Sequence, residues 1–178
     1  IDIKLLKEDG TEAPQGEPGE LCVQGPQVMQ GYWQRPDETA KVLVDGWLRT
    51  GDVAVLEADG FVKIVDRLKD MIVVSGFKVF PNEVEDALAR LEAVAESAVI
   101  GVPSGDAGEA VKAFVVIRPG QTLTVEQVRE HCKKSLTNYK VPKLVEFRTE
   151  LPKTNIGKIL RKELRAQELA KLAAKASA

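Results

Sequence analysis

Tight-turn sequences recur through the first 65 residues and restrict what this part of the chain can fold into. Short runs suited to strands lie between them at residues 3–6, 20–24, 53–57 and 61–65. The turn signals are EDG at 8–10, PQGEPGE at 14–20, DGW at 45–47 and EADGF at 57–61. Short strands joined by Asp-Gly turns are typical of antiparallel hairpins. We therefore predict a small antiparallel sheet or distorted barrel, interrupted by one helix at 35–44 that has Pro36 near its start.

The pattern changes after Arg67, where strand-like and helix-like segments alternate. Residues 70–81 (DMIVVSGFKVFP) predict a two-stranded ribbon with Gly76 in its turn. The other expected elements are a helix capped by Asn82 and Glu85, strands at 96–103 and 111–119, a helix capped by Thr124 and Gln127, a strand near 143–147, and a last helix from about Gly157 into the alanine-rich tail at 170–178. Interleaving of this kind predicts a compact α+β domain. We divide the chain into a β-rich segment, 1–66, and an α+β domain, 67–178.

The net charge of −2 conceals a strong asymmetry along the chain. Residues 1–128 contain 12 basic and 22 acidic side chains, whereas residues 129–178 contain 13 basic and 5 acidic ones. A basic C-terminal third can attract phosphate-bearing ligands or an anionic membrane, or can pack beside an acidic part of the same protein. We find no nucleic-acid-binding signature, so nucleic acid is not an expected partner.

The cysteine count and the hydropathy pattern exclude several classes of protein. Cys22 and Cys132 are far apart and form no CxxC pair, which favours a reduced, cytoplasmic protein over a disulfide framework or a zinc site. No apolar run approaches the roughly 20 residues that span a bilayer. The chain opens directly on strand-like sequence, so we expect it to begin inside a fold. His131, the only histidine, lies within a predicted helix and is expected to be structural.

Four short stretches contain candidate functional residues, and each has a structural alternative. In GWLRTGD (46–52), Asp52 could accept two adjacent hydroxyl groups, as of a ribose, or could cap its own turn. In IVDRLKD (64–70), the alternating charges could be solvated, or could mark a junction at which domains swivel. In VVSGFKVFPNEVE (73–85), Gly76 could serve a turn, or could let a ligand pass close to the backbone.

The fourth stretch, LPKTNIGKILRKELR (151–165), places Lys158 after a glycine at the expected entry to the last helix. The spacing of a Walker A loop is absent. A lysine can still reach an oxygen on which charge develops, with backbone N–H donors of the helix start nearby. The alternative is an ordinary surface lysine. A cation gains nothing from the helix dipole at that end, so the position is not a stability choice.

These stretches occur together in one order, and that order resembles a known superfamily. The segments at 31–42, 46–52, 65–85 and 151–164 resemble the later core motifs of the adenylate-forming enzymes, which include acyl-CoA synthetases, luciferases and peptide-synthetase adenylation domains. Residues 45–70 resemble the fatty-acyl-CoA synthetase signature. With nearly all of the 178 residues covered, the chain is most similar to the C-terminal portion of bacterial long-chain fatty acid–CoA ligases.

The resemblance implies a role for each candidate residue. Asp52 would hold the ribose hydroxyls of the nucleotide, and Arg67 would assist at the same sugar. Lys69 would be the hinge about which the C-terminal domain turns. Ser75 and Gly76 would line the passage of the CoA pantetheine. Lys158 would enter the site during adenylation only and bridge the acyl carboxylate and the nucleotide; no residue of the chain is expected to bind a metal.

The resemblance also implies the reaction and its participants. A long-chain fatty acid would react with ATP and Mg²⁺ to give acyl-adenylate, and CoA would then displace AMP. Residues 1–66 would complete a large N-terminal domain whose upstream part supplies the Mg²⁺ ligands, so the chain alone would be inactive. The alternatives are a fatty acyl-AMP ligase that loads a carrier protein, and a non-catalytic nucleotide- or acyl-binding module. Peripheral contact with the inner face of the membrane is a further hypothesis.

Overall fold

The computed structural model describes residues 1–176 and divides the chain into two compact units. The first unit is Ile1–Lys69, and the second begins at Asp70. The division therefore follows Lys69, whereas the sequence placed it after Asp66. Residues 177 and 178, the end of the tail predicted to be helical, lie outside the described residues.

The first unit is an antiparallel sheet with one short helix, and this confirms the predicted β-rich segment. Its elements are β1 (Asp2–Leu6), β2 (Pro18–Gln24), α1 (Pro36–Val42), β3 (Leu43–Val44), β4 (Trp47–Leu56) and β5 (Val62–Arg67). Strand β4 is central, because β2 pairs along one side of it while β3 and β5 share the other side. Helix α1 has a proline in its first turn, as predicted.

Strand β4 begins earlier than the predicted strand at 53–57 and runs through Asp52, at which the sequence pattern GWLRTGD had indicated a turn. The register between β2 and β4 shifts within it, from Glu20 opposite Val53 to Cys22 opposite Arg49. The extra residues form a bulge around Gly51, whose φ is +72°. The turn-like sequence is thus an irregularity inside a strand, and the prediction of a turn was wrong.

The second unit has a three-stranded sheet with helices on both faces. Its elements are β6 (Ile72–Val74), β7 (Phe77–Val79), α2 (Pro81–Ala89), β8 (Val94–Pro103), β9 (Glu109–Ile117), α3 (Val125–Lys133), β10 (Leu144–Arg148) and α4 (Arg161–Ala176). Strand β9 is central, antiparallel to β8 and parallel to β10. Strands β6 and β7 form the predicted two-stranded ribbon. The expected α+β class is confirmed.

Two apolar clusters fill the two faces of this sheet, because neighbouring strand residues point to opposite sides. Val99 of β8 faces the cluster formed with α2 and α3, which includes Leu88 and Val128. Its neighbour Ile100 faces the other cluster, which contains Leu164 of α4. Helix α4 is therefore packed on the sheet face opposite α2 and α3.

The helix starts test the predicted capping patterns. Thr124 and Gln127 form a complete capping box at α3, as expected. Asn82 and Glu85 do not cap α2, which begins at Pro81. Their side chains instead accept hydrogen bonds from the Arg161 guanidinium, at 2.5 Å from Asn82 and 2.8 Å from Glu85. The two side chains that were predicted to cap α2 thus bind a residue that is distant in sequence.

Candidate functional site

Asp52 and Arg67 lie opposite each other on neighbouring strands of the first unit. The register of β4 and β5 pairs them directly, and Arg67 Nε lies 2.7 Å from Asp52 Oδ1. The Asp52 side chain is 27% exposed and the Arg67 side chain is 59% exposed, so both are accessible. Together they present carboxylate acceptors beside guanidinium donors, which matches the hydrogen-bonding needs of a vicinal diol. The structure thus brings together two residues that lie 15 positions apart in the sequence.

The charged residues at the end of β5 and just after it are not uniformly solvated, contrary to one sequence-based alternative. Asp66 and Asp70 are buried, whereas Arg67 and Lys69 are exposed. Asp66 accepts a hydrogen bond from the Arg67 backbone N–H at 2.8 Å. Leu68, Lys69 and Asp70 form one 3-10 turn, and the first unit ends within it. Lys69 therefore occupies an exposed position at the boundary between the units.

Ser75 and Gly76 form the turn of the ribbon between β6 and β7. Their φ angles are +49° and +84°, the positive pair that a tight two-residue hairpin needs. A Cβ added at Gly76 would meet no atom within 4 Å. Its conformation alone therefore accounts for the glycine, which favours the turn interpretation. The Ser75 backbone N–H donates to the Ala107 carbonyl at 2.8 Å and ties the turn to the loop before β9.

Lys158 lies in a small closed loop, not at the start of a helix. Helix α4 begins at Arg161, so the predicted helix start at Gly157 was wrong. The chain reverses at Gly157, whose φ is +81°, and an antiparallel bridge joins Lys153 and Ile159. The Leu160 N–H closes the base by donating to the Pro152 carbonyl at 2.8 Å. The backbone N–H groups of the α4 start therefore belong to later residues than Lys158. The Lys158 side chain is exposed on the loop.

A cluster of ion pairs joins the start of the second unit to α4, and sequence reasoning missed it. Asp70 accepts from Arg161 Nη1 at 3.3 Å and from Arg165 Nη2 at 2.8 Å. Arg161 also pairs with Glu85 of α2 at 2.8 Å. The spacing of Arg161 and Arg165 by four residues places both on one helix face and was the available signal. The cluster connects the residue after Lys69 with the helix that follows Lys158.

A second cluster, around Lys112, fastens α4 to the sheet. Lys112 of β9 is only 8% exposed, and its amine lies 2.7 Å from both Glu146 of β10 and Glu168 of α4. Burial disfavours the charged form of Glu146, but hydrogen bonds from Lys112, Lys171 and Arg148 outweigh it and lower its pKa to about 2. Burial also opposes ionisation of Glu168, but hydrogen bonds from Lys112 and Lys171 outweigh it and lower the pKa of Glu168. These charges have a structural role.

The cysteines and the histidine occupy structural positions. Cys22 and Cys132 are both buried and free. Burial raises the pKa of both thiols, that of Cys132 to about 11. His131 Nε2 lies 2.9 Å from the Ala87 carbonyl and links α3 to α2. Within residues 1–176, no group of three or more histidine, cysteine or acidic side chains is arranged to hold a metal ion.

Comparisons with known proteins identify the family. A family model described as AMP-binding enzyme matches residues 1–33, and one described as AMP-binding enzyme C-terminal domain matches residues 83–158. The structure of ATP-bound MatB from Rhodopseudomonas palustris is similar, with a TM-score of 0.88 and 38% identity over 93% of this chain and 33% of that one. The amide bond synthetase McbA from Marinactinospora thermotolerans gives a TM-score of 0.86 at 38% identity, over 93% of this chain and 34% of that one. The chain belongs to the AMP-binding, adenylate-forming enzymes, as its motifs indicated.

Within this family, the chain is similar to long-chain fatty acid–CoA ligases. It is 58% identical to one from Escherichia coli O6:H1, over 98% of this chain and 31% of that protein. It is 60% identical to one from Yersinia pestis, over 94% of this chain and 30% of that protein. The chain thus spans about a third of the length of these curated relatives and corresponds to their C-terminal part.

Proposed function

We propose that this chain is the C-terminal portion of a long-chain fatty acid–CoA ligase. The observation that carries the proposal is an identity of 58–60% with such ligases over at least 94% of the chain. In the complete protein, a fatty acid carboxylate attacks the α-phosphate of ATP and releases pyrophosphate. The CoA thiol then attacks the acyl-adenylate and releases AMP. Residues 1–66 complete a large N-terminal domain, and residues 67–178 form a domain that rotates between the two steps.

Asp52 and Arg67 bind the ribose of the nucleotide in this proposal. The Asp52 carboxylate accepts hydrogen bonds from the two ribose hydroxyl groups, while Arg67 holds that carboxylate in place and donates to the same sugar. Their opposed positions on β4 and β5 support this assignment, because the strand register fixes the pair before any ligand arrives.

Lys158 acts in the adenylation step. Its amine bridges the acyl carboxylate and the nucleotide and stabilises negative charge that develops at the α-phosphate. Preorganised groups of this kind contribute several kcal/mol where water is excluded, on the order of 2.7–4 kcal/mol for one donor. The support is the exposed position of Lys158 on a closed loop, with no ion-pair partner for its amine among residues 1–176.

Lys69 is the hinge of the rotation, and Ser75 and Gly76 border the pantetheine of CoA in the second step. The position of Lys69 at the boundary between the two units supports the first role. The exposure of the Ser75 and Gly76 turn supports the second. A turn that lacks a side chain at Gly76 leaves its backbone open to close approach by a ligand.

Mg²⁺ accompanies ATP in the proposed reaction and is held by residues outside this chain. No step performed by the residues of this chain depends on it.

The proposed place of action is the cytoplasm, with peripheral contact at the inner face of the membrane. No described helix is long and apolar enough to cross a bilayer. The support for membrane contact is the basic C-terminal third, in which Lys133 and Lys134 are exposed on and after α3. Charge reversal of these two lysines is expected to reduce sedimentation with anionic vesicles; unchanged sedimentation would contradict membrane contact.

The experiment that tests the proposal uses the complete protein. We would measure palmitate-dependent release of pyrophosphate from ATP, and then AMP release on addition of CoA or of a carrier protein that bears phosphopantetheine. Release of both products with CoA supports the ligase. Transfer to the carrier protein alone favours an acyl-AMP ligase, and no pyrophosphate at all indicates a non-catalytic binding module.

A further inference from the structure

Thr154 makes two hydrogen bonds to the backbone of Lys158. Its hydroxyl oxygen accepts from the Lys158 N–H at 3.1 Å, and its own N–H donates to the Lys158 carbonyl at 2.8 Å. The Gly157 N–H completes the turn by donating to the Thr154 carbonyl at 2.9 Å. Both polar groups of the Lys158 main chain are therefore held by a single residue, four positions earlier.

The base of this loop is attached to the second unit through its flanking residues. Leu151 is 4% exposed within the apolar cluster under α4. The Lys153 amine pairs with Glu96 of β8. Lys153 is also the residue bridged to Ile159 on the returning strand. Thr154 is thus the point at which an anchored base is connected to the exposed segment that carries Lys158.

A lysine amine stands at the end of a flexible four-carbon stem, so the protein can direct it only through its backbone and its surroundings. The Lys158 side chain is exposed, and its amine has no ion-pair partner within residues 1–176 to orient it. The direction of its stem is then determined by the backbone bonds to Thr154. A catalytic group must be held within a fraction of an ångström of its productive position, because small displacements reduce the rate strongly.

We propose that Thr154 is a positioning residue for Lys158, and that its hydroxyl group orients the lysine for the adenylation step. This inference rests on the proposed adenylation role of Lys158. Thr154 itself touches no reacting atom; it holds the Lys158 N–H and so defines where the stem begins. The backbone bond to the Lys158 carbonyl is kept by valine or serine at 154, whereas the bond to the Lys158 N–H needs a side-chain acceptor, which serine has and valine lacks.

The test compares Thr154→Val and Thr154→Ser in the complete ligase. Valine preserves the shape and the β-branched preference of threonine but removes the acceptor, while serine retains the acceptor. We expect Thr154→Val to lower kcat for palmitate-dependent pyrophosphate release about tenfold, which is the order of effect of one hydrogen bond. Thr154→Ser should retain most of the wild-type kcat. CoA-dependent conversion of supplied acyl-adenylate should be unchanged in both variants.

A double-mutant cycle shows whether Thr154 acts through Lys158. In a Lys158→Ala background, Thr154→Val is expected to cause no additional loss of the residual adenylation rate, because the amine that it positions is absent. An additional loss of full size would overturn the proposal. Equal losses in both half-reactions, or a wild-type adenylation rate for Thr154→Val, would also overturn it.

The same variants separate this inference from the proposed function. If Lys158→Ala leaves adenylation intact, the proposed function of the lysine fails. If Lys158→Ala loses adenylation while Thr154→Val behaves as wild type, only the positioning role fails. Circular dichroism of each variant verifies that the complete ligase is folded. Lys153→Met tests separately whether anchoring of the base contributes.

Discussion

At the scale of single residues, the register of β4 and β5 places Asp52 against Arg67 without help from any other element. The pair is partly exposed, and pairs of that kind contribute only about 0–1 kcal/mol to stability. The pair therefore adds little to the stability of the first unit, and we propose that its role is to bind a ligand. The backbone of Lys158 is likewise held by neighbours in sequence.

The first prediction concerns Asp52. In the complete ligase, Asp52→Ala should raise the KM for ATP by about 10–100-fold, because two hydrogen bonds to the sugar are lost. Thermal unfolding should change little. A matched control is Lys7→Ala, which breaks the exposed pair of Lys7 with Glu17 in the same unit and should leave KM unchanged. Equal effects of the two variants on KM would contradict a nucleotide role.

The second prediction concerns Gly157. An alanine there would meet no atom within 4 Å, so its cost is the backbone strain of φ +81°, about 1–2 kcal/mol. Gly157→Ala should lower adenylation because the Lys158 loop is distorted. Gly120→Ala is the control: its φ is +79°, it is equally open, and it lies in the loop between β9 and α3. It should carry a similar strain and retain full adenylation activity, as measured by pyrophosphate release; a similar loss in both variants would refute the prediction.

At the scale of secondary-structure elements, the successful sequence predictions were those that rest on local signals. The turn dipeptides located the hairpins, and the Thr124 capping box located α3. The failure to predict the start of α2 has a non-local cause. The Arg161 guanidinium donates hydrogen bonds to the side chains of Asn82 and Glu85, although it lies 79 and 76 residues further along the chain. These two side chains therefore do not cap α2 as the sequence had suggested. No periodic pattern in the sequence indicates a hydrogen-bond partner at such a distance.

The roles of the candidate site residues stay predictions, and the sequence indicated the local structure around them only in part. The resemblance indicated which residues to examine, but not that Asp52 lies in a bulged strand or that Lys158 lies in a closed loop. A glycine after an apolar run is compatible with a turn, a bulge or a helix start. Pairing of β4 with the earlier strand β2 decided the case of Asp52, and the bond from Leu160 to Pro152 decided that of Lys158. The first depends on a strand about 30 residues earlier in the chain. The second is a local chain reversal, which the glycine pattern does not distinguish from a helix start.

The third prediction concerns the attachment of α4 to the sheet. The pKa values of Glu146 and Glu168 lie below the ordinary value of 4.5, that of Glu146 at about 2. Groups of this kind stabilise the fold above their unfolded-state pKa and lose that contribution as the pH falls toward the folded-state value. Hydrogen-exchange protection in α4 should therefore decrease between about pH 4.5 and pH 2.

Two substitutions in α4 make the pH prediction specific. Glu168→Gln removes one titrating partner of Lys112, so the pH dependence of protection should become shallower. Glu163→Gln, on the exposed side of the same helix, should retain the wild-type dependence. A wild-type dependence in Glu168→Gln would show that this cluster does not control the acid sensitivity of α4.

At the scale of the whole molecule, Asp52 and Lys158 belong to different compact units. The chain also spans only about a third of its curated relatives. The proposed site thus requires parts that this chain does not contain. We expect residues 1–178 alone to release no pyrophosphate above background from ATP and palmitate, and to form no acyl-CoA from supplied acyl-adenylate. Turnover by the isolated chain in either assay would contradict the proposal that the active site needs residues outside this chain.

In the proposed reaction cycle, Lys158 serves adenylation and not thioester formation. The most direct test is Lys158→Ala in the complete ligase, with the two half-reactions measured separately. Palmitate-dependent pyrophosphate release should fall by about 10²–10³-fold, as for the loss of a preorganised electrostatic group. Conversion of supplied acyl-adenylate to acyl-CoA should proceed at the wild-type rate. If adenylation persists, or if both half-reactions fall equally, the assignment of Lys158 is wrong.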